Sequence, residues 1–393
     1  MKNSENKLAD RMNALLPEGA FAVLTKARAL EAQGKKIIHF EIGQPDFPTP
    51  KSIVKAAKKA LDKGMTRYTQ PLGLPEFRKA VAGYLSKTRG IEFFENQIAA
   101  TPSPKTAIFL TFAALVQSGD EVIYPDPGFP TYEVLSGFFG GIKRPVQLSE
   151  RKNFSFDMED FKAKFSPKTR LVVLNSPSNP TGGIMPEGDV REIAGLVLKN
   201  PNCFVLSDEI YSQILYDGNI HHSIAEFSGM MDRTFLVDGF SKTYSMTGWR
   251  LGHLAFPKKF EERMDWLITN TYSCAAHFSQ LAGIEALTGP QDEVEKMVAE
   301  FAKRRDVIVE GLNSIPGITC RKPLGAFYVF PNVKSFGRTS RELADYILEK
   351  AGVALLDGTA FGKFGEGYLR LSYANSLENI FEGLNRITHA LKK

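Results

Sequence analysis

A lysine set among small residues is the first candidate for chemistry. The stretch Gly239-Phe-Ser-Lys-Thr-Tyr-Ser-Met-Thr-Gly-Trp-Arg-Leu-Gly252 follows an apolar run and brings Ser241, Lys242 and Arg250 close together. A lysine in a Ser/Gly-rich turn after a buried strand loses water, which lowers its pKa and frees the amine as a nucleophile. Arg250 is a fixed cation able to hold phosphate oxygens in a fork, and the Ser241 hydroxyl adds a donor. Upstream, Cys203-Phe-Val-Leu-Ser-Asp208-Glu-Ile-Tyr211 sets an acid and a phenol at the end of another apolar run. A third run ends in the amide-rich Asn175-Ser-Pro-Ser-Asn179-Pro-Thr-Gly182. Taken singly, Lys242 would be a turn lysine, Asp208 a helix N-cap and Asn179 a turn former. Three strand ends with the same kind of polar cluster argue instead for one site at the carboxyl edge of a sheet.

An amine, a buried carboxylate, a phenol, an amide and a phosphate clamp together match the needs of pyridoxal 5′-phosphate. Its aldehyde needs the lysine, its ring nitrogen an acid that keeps it protonated, and its phenolic oxygen hydrogen-bond donors. Its phosphate needs a cation and backbone N–H groups, which the helix predicted to begin near Lys105 would offer at its N-terminus.

The elements that must position these groups alternate. Ile53–Lys63, Leu74–Lys87 and the apolar stretch from Lys105 to Gln117 read as helices, the last ended by Ser118-Gly119. The segments DEVIYPD, RLVVLNSP, CFVLSDE, TFLVDG and RLGHLAF read as short strands bounded by turn residues. Apolar strands separated by helices predict an α/β fold with a mostly parallel sheet covered on both faces. Beyond Gly289-Pro290 the units shorten, with a charged helix from about Gln291 to Ser314, then ITCRKP, GAFYVFP, a helix near Arg341–Lys350, GYLRLSY and a terminal helix. This predicts residues 50–289 as a large cofactor-binding domain and 290–393 as the C-terminal part of a smaller α+β domain. Residues 1–49 then form an N-terminal arm and the first part of that small domain.

Composition narrows the classes. The chain has 393 residues, 43% of them hydrophobic and 24% charged, which is ordinary for a globular protein. Its net charge of +5 is spread without a basic block, so nucleic acid is not an expected partner. Three cysteines without metal-ligand spacing predict neither a disulfide framework nor a zinc site. No run is long enough for a membrane helix, and Met1–Asn13 is charged without a following apolar stretch, so a cytoplasmic protein is expected.

With these motifs in hand, the chain resembles a class I/II, fold type I aminotransferase, in the branch with many aspartate, alanine and aromatic aminotransferases. The lysine segment, NPTG, SDEIY, YLRLSYA, IGQPDFPTP and YTQPLGLPEFR all carry the likeness, which runs from about Phe21 to about Ile387. The resemblance implies a large domain with a mostly parallel central sheet and a smaller α+β domain. It implies that Lys242 links covalently to pyridoxal 5′-phosphate and is the base for a 1,3-proton shift. Asp208 would pair with the ring nitrogen, Tyr211 and Asn179 would contact the phenolic oxygen, and Phe129 would stack on the ring. Ser103, Pro104 and Lys105 fall in the phosphate loop, and Ser241 and Arg250 would hold the phosphate. Tyr68 would reach it from the other subunit of a homodimer. Arg370 would grip the substrate α-carboxylate, assisted by Asn179 and the backbone of Gly43. The activity implied is ping-pong transamination between an L-amino acid and a 2-oxo acid, with 2-oxoglutarate the expected acceptor. The same family includes C–S β-lyases, and a non-catalytic sensor on this fold is a further alternative.

The chain departs from the family pattern in three places. Pro104 removes an N–H from the phosphate loop, which predicts a weaker phosphate site. Gly239 stands where some branches have serine. Pro17-Glu-Gly-Ala-Phe21 replaces a Ser/Thr-containing segment at the substrate entrance, and Glu18, if it points inward, would repel a dicarboxylate.

Overall fold

The computed structural model describes residues 8–392. Thirteen strands are assigned in chain order: β1 (Ile38–His39), β2 (Ile98–Thr101), β3 (Glu121–Asp126), β4 (Ile142–Ser149), β5 (Ser155–Phe156), β6 (Thr169–Asn175), β7 (Phe204–Asp208), β8 (Thr234–Gly239), β9 (Gly252–Ala255), β10 (Tyr328–Val329), β11 (Val353–Ala354), β12 (Leu356–Asp357) and β13 (Leu369–Ser372). Eight form the central sheet in the order β2-β9-β8-β7-β6-β3-β4-β5. Its middle, from β4 through β3, β6 and β7 to β8, is parallel, while β9, β2 and β5 join antiparallel. The α/β class and the mostly parallel sheet are as the sequence predicts.

The middle strands read as continuous apolar runs because both of their faces are covered. Val122, Leu171, Val173, Leu206, Val237 and Leu254 pack on one side with the Pro104–Leu115 helix. Val172, Leu174 and Val205 pack on the other with the Glu187–Lys199 helix. The Pro75–Arg89 helix is bounded as its sequence dictates, with Pro75 in the first turn and Gly90 at φ 68° as the left-handed C-cap. The Pro104–Leu115 helix stops short of the predicted Ser118-Gly119. Val116 is already extended, and the Gln117 N–H turns instead to Asp120 Oδ2 at 3.0 Å.

Outside the central sheet, β10-β13-β12 forms an antiparallel trio, and β1 pairs in parallel with β11 across more than three hundred residues of chain. Ala27 of the Gly19–Glu31 helix packs with Ile37, Leu348 and Ala354. The long Asp292–Asn313 helix lays Phe301, Ile308 and Leu312 onto a core shared with Phe327, Leu371 and Ile380. No described helix is long and apolar enough to cross a membrane.

Candidate active site

The three strand ends that carry the polar motifs are neighbours. Asn175 lies opposite Asp208 in the β6–β7 pairing, and Asp208 lies opposite Val237 in the β7–β8 pairing. Above them opens a cavity of about 330 Å³. It is lined by Lys242, Asp208, Tyr211, Asn179, Phe129, Ser103, Pro104, Lys105, Ser241, Arg250, Gly43 and Arg370, so every sequence-predicted site residue but one is brought together. Tyr68 is the exception. Its side chain is 88% exposed and does not line this cavity.

Asp208 is buried, and its carboxylate is held from two sides. The Tyr132 hydroxyl donates to Oδ2 at 2.6 Å, and the Ile210 N–H donates to Oδ1 at 3.3 Å. Burial lifts its pKa to about 6, against the pull of these two donors. Asn175 organises the same corner, giving its Nδ2 hydrogen to the Asp208 carbonyl at 3.0 Å and accepting the Asn179 N–H at 2.9 Å. Tyr132 also meets Phe129 edge to face at 5.7 Å, so one tyrosine fixes both a carboxylate and an aromatic wall.

Lys242 leaves the end of β8 and donates from Nζ to the Gly43 carbonyl at 2.6 Å. Loss of water lowers its pKa to about 8, and the positive charge of Arg370 pushes the same way. Modification of Lys242 in the cofactor-free protein by a small aldehyde, trapped with borohydride, should therefore rise with a midpoint near pH 8 rather than near the ordinary 10.5. Peptide mapping across pH gives that midpoint, and one above 10 would contradict the environment described.

Gly43 has no room for a side chain. A Cβ there would lie 2.1 Å from the Tyr328 hydroxyl, which shares a 2.8 Å hydrogen bond with Tyr211. On β13, Arg370 is fully inside the protein. One nitrogen donates to the Glu41 carbonyl at 2.6 Å, and its guanidinium lies 4.7 Å from the Tyr328 ring centre. Two buried polar atoms around the cavity have no partner, Arg370 Nε and Asn179 Oδ1. Such atoms are costly unless something else meets them. A cavity that offers a softened amine, a buried acid and unmet polar atoms fits an aldehyde-bearing heteroaromatic cofactor with an amino-acid carboxylate beside it.

The departures from the family pattern have structural counterparts. Pro104 takes the first position of its helix, where an N–H has no partner within the helix, and Ser103 caps the turn by accepting the Thr106 N–H at 3.1 Å. The Pro104 ring packs on Gly239 so closely that a Cβ at 239 would come 2.9 Å from its Cγ. The proline and the glycine are thus one mutual accommodation. Glu18 does line the cavity, and its carboxylate is paired with Lys105 Nζ at 2.7 Å. Its expected repulsion of an incoming dicarboxylate is therefore offset by a cation at the same place.

Arg250 is exposed and donates to the Thr247 carbonyl at 2.8 Å, which leaves the rest of its fork toward the cavity. Tyr132, Tyr328 and Asn175 were not predicted as site residues. Asn175 and Tyr328 lie inside motifs already quoted, but nothing local signals their partners.

The family model described as aminotransferase class I and II matches residues 35–387. The chain is 39% identical to a probable aspartate/prephenate aminotransferase of Aquifex aeolicus over 98% of this chain and 99% of that one. Among solved structures it is similar to an aspartate aminotransferase from Rhizobium meliloti, with a TM-score of 0.94 and 33% identity over 98% and 99% of the two chains. It is also similar to an alanine aminotransferase from Pyrococcus furiosus, with a TM-score of 0.93 and 32% identity over 98% of this chain and 100% of that one.

Proposed function

The chain belongs to the class I and II aminotransferases, and on that premise we propose that it uses pyridoxal 5′-phosphate, held at Lys242, to move an α-amino group from an L-amino acid to a 2-oxo acid. The observation that carries the cofactor is the pairing of a part-buried amine of lowered pKa with a buried carboxylate in one cavity. Bound there, the cofactor supplies an aldehyde for covalent capture of amines and a conjugated ring that takes up electrons when the substrate α-C–H bond breaks.

The chain's own residues do the rest. With its pKa lowered to about 8, Lys242 is largely neutral only at mildly basic pH, where its amine would hold the aldehyde and, when free, could take a proton from the substrate α-carbon. Asp208, aligned by Tyr132 and Ile210, holds its charge against the ring nitrogen. Arg370 presents its unpaired Nε to the α-carboxylate, and the Tyr328 ring stacks behind the guanidinium and fixes its plane. Asn179 and Tyr211 would contact the phenolic oxygen, and Phe129 would cover one face. Ser103, Lys105, Ser241 and Arg250 would surround the phosphate, with Pro104 shaping the turn.

A homodimer is part of the proposal, supported by Tyr68, whose aromatic side chain stands almost fully in solvent on a single chain. The division into a 50–289 unit and a second unit built from 1–49 and 290–393 is likewise proposed, supported by the β1–β11 pairing. A cytoplasmic location is proposed with it.

Relatives named for aspartate/prephenate and for alanine leave the donor open. The test is a donor panel of aspartate, alanine, glutamate, tyrosine and phenylalanine with 2-oxoglutarate as acceptor, which scores transferred amine against released ammonia and pyruvate. Amine transfer is expected; ammonia and pyruvate as the main products would establish the lyase outcome instead.

A further inference from the structure

A second polar group lies beneath the cavity and is sealed from solvent. Consecutive residues of an extended strand face opposite sides of the sheet. Asp208 lines the cavity, while the carboxylate of Glu209 meets Arg89 Nε at 2.7 Å. Arg89 is the last residue of the Pro75–Arg89 helix, and its side chain is 1% exposed. Its guanidinium also donates to Asp238 Oδ2 at 3.1 Å, Ser212 Oγ at 2.9 Å and Thr88 Oγ1 at 2.8 Å. Glu209 is completed by the Ser207 and Ser223 hydroxyls at 2.7 and 2.6 Å, with His221 Nε2 standing 3.0 Å from Oε2. Asp238 is completed by the Gly239 N–H at 2.7 Å.

The two carboxylates that share this one guanidinium are not arbitrary. Glu209 follows Asp208 directly, and Asp238 is the residue before Gly239, from which the chain runs to Lys242. The strands are also tied there by the Glu209 N–H, which donates to the Val237 carbonyl at 2.8 Å. Beyond that point the two chains part, one toward Tyr211 and the other toward Lys242. Without Arg89, two buried carboxylates would sit side by side with no arginine between them, and the chain ends that carry Asp208 and Lys242 would be driven apart.

We propose that Arg89 is a positioning residue for transamination: by bridging Glu209 and Asp238 it sets the spacing between Asp208 and Lys242, the two groups that must act on one cofactor. The inference rests on the roles proposed above for those two residues. A small misplacement of reacting groups is enough to matter, since about 1 Å can lower a rate by roughly 100-fold.

The test uses the holoenzyme and expresses kcat per bound cofactor, counted by alkaline release. For Arg89→Met, kcat per bound cofactor should fall by about tenfold to 100-fold, because the reacting groups are misaligned. The donor KM should change by less than about threefold, because Arg370 on β13 is untouched. The visible absorbance of the lysine-linked cofactor should shift its pH midpoint as well. A role in stability alone would lower the melting temperature and the yield of folded protein, yet leave kcat per bound cofactor and that midpoint at wild-type values. That result overturns the proposal. If Arg89→Met does not fold, the nearly isosteric Asp238→Asn, which weakens one arm of the bridge, decides by the same criterion with a smaller expected loss. Should Lys242→Ala remain active, the underlying roles fail. If Lys242→Ala is dead while Arg89→Met and Asp238→Asn turn over normally per cofactor, only this inference fails.

Discussion

Lys242→Ala is expected to abolish turnover while leaving the protein folded. The amine donates to the Gly43 carbonyl at 2.6 Å and lines the same cavity as Asp208 and Arg370, which is where the proposed mechanism needs one group both to capture the cofactor and to reach the substrate α-carbon. General acid–base catalysis alone is worth about 10²–10⁴-fold, and covalent capture is lost with it, so the remaining rate should fall below that range. Steady-state transamination by purified variant checks this, together with loss of the visible absorbance of the lysine-linked cofactor. A rate within tenfold of wild type, on the order of an ordinary side-chain effect, would remove Lys242 from the mechanism. Stability supplies the control. Folding lowers the Lys242 pKa from 10.5 to about 8, so the folded protein without cofactor disfavours the charged amine. This penalty is absent above pH 10.5, grows as pH falls through the window down to about 8, and is full below it. Melting curves of the two cofactor-free proteins should accordingly shift in favour of the variant as pH falls through that window. An inactive variant that is no less stable at neutral pH cannot owe its inactivity to unfolding.

What made Lys242 and Asp208 legible in the chain is the burial of the strands beneath them. β7 and β8 are covered on both faces, so Phe204–Leu206 and Phe235–Val237 read as apolar runs, and the polar clusters that follow them, with Asp208 in one and Ser241-Lys242 in the other, stand out. Contacts that span the chain leave no such mark. Tyr132 reaches Asp208 across 76 positions and Tyr211 reaches Tyr328 across 117, and in each case the local sequence shows only another aromatic. Arg89 is hidden for a different reason. A basic residue in the last turn of a helix is ordinarily explained by the helix dipole, and the apolar period of that helix runs out at Lys87, so nothing marks the arginine as buried. The small strands resist reading too. β10, β11 and β12 span two residues each, too short for an alternation of period two, and ITCRKP contributes only the isolated Thr319–Asn332 bridge. The direction of Glu18 is not legible in the sequence; it lines the cavity, and its partner Lys105, 87 positions away, offsets the charge it brings there.

Arg370→Lys should weaken every substrate that carries an α-carboxylate while sparing cofactor binding. The arginine is locked in place before any ligand arrives. One nitrogen is held by the Glu41 carbonyl at 2.6 Å, and the guanidinium lies 4.7 and 5.2 Å from the centres of the Tyr328 and Phe361 rings. Its Nε is buried and unpaired, on a residue that lines the same cavity as Lys242. A lysine keeps the charge and three donors, but they sit on one nitrogen, so it has no planar fork that holds the Glu41 carbonyl with one nitrogen and meets a carboxylate with the others. Losing one hydrogen bond to a charged group costs about 1.5–3 kcal/mol, which is roughly 10–150-fold in affinity at ~1.4 kcal/mol per decade. The KM of the amino donor and of the 2-oxo acid should both rise by that factor, since both present the same carboxylate to the same residue. The cofactor dissociation constant should stay within about twofold, because the phosphate groups lie on other elements. A donor amide in place of the donor acid makes the assignment specific. The wild-type protein should discriminate strongly against the amide, and the lysine variant should lose most of that discrimination. If KM for all acids is unchanged, or if the amide is rejected as strongly as before, the α-carboxylate is anchored elsewhere in the cavity.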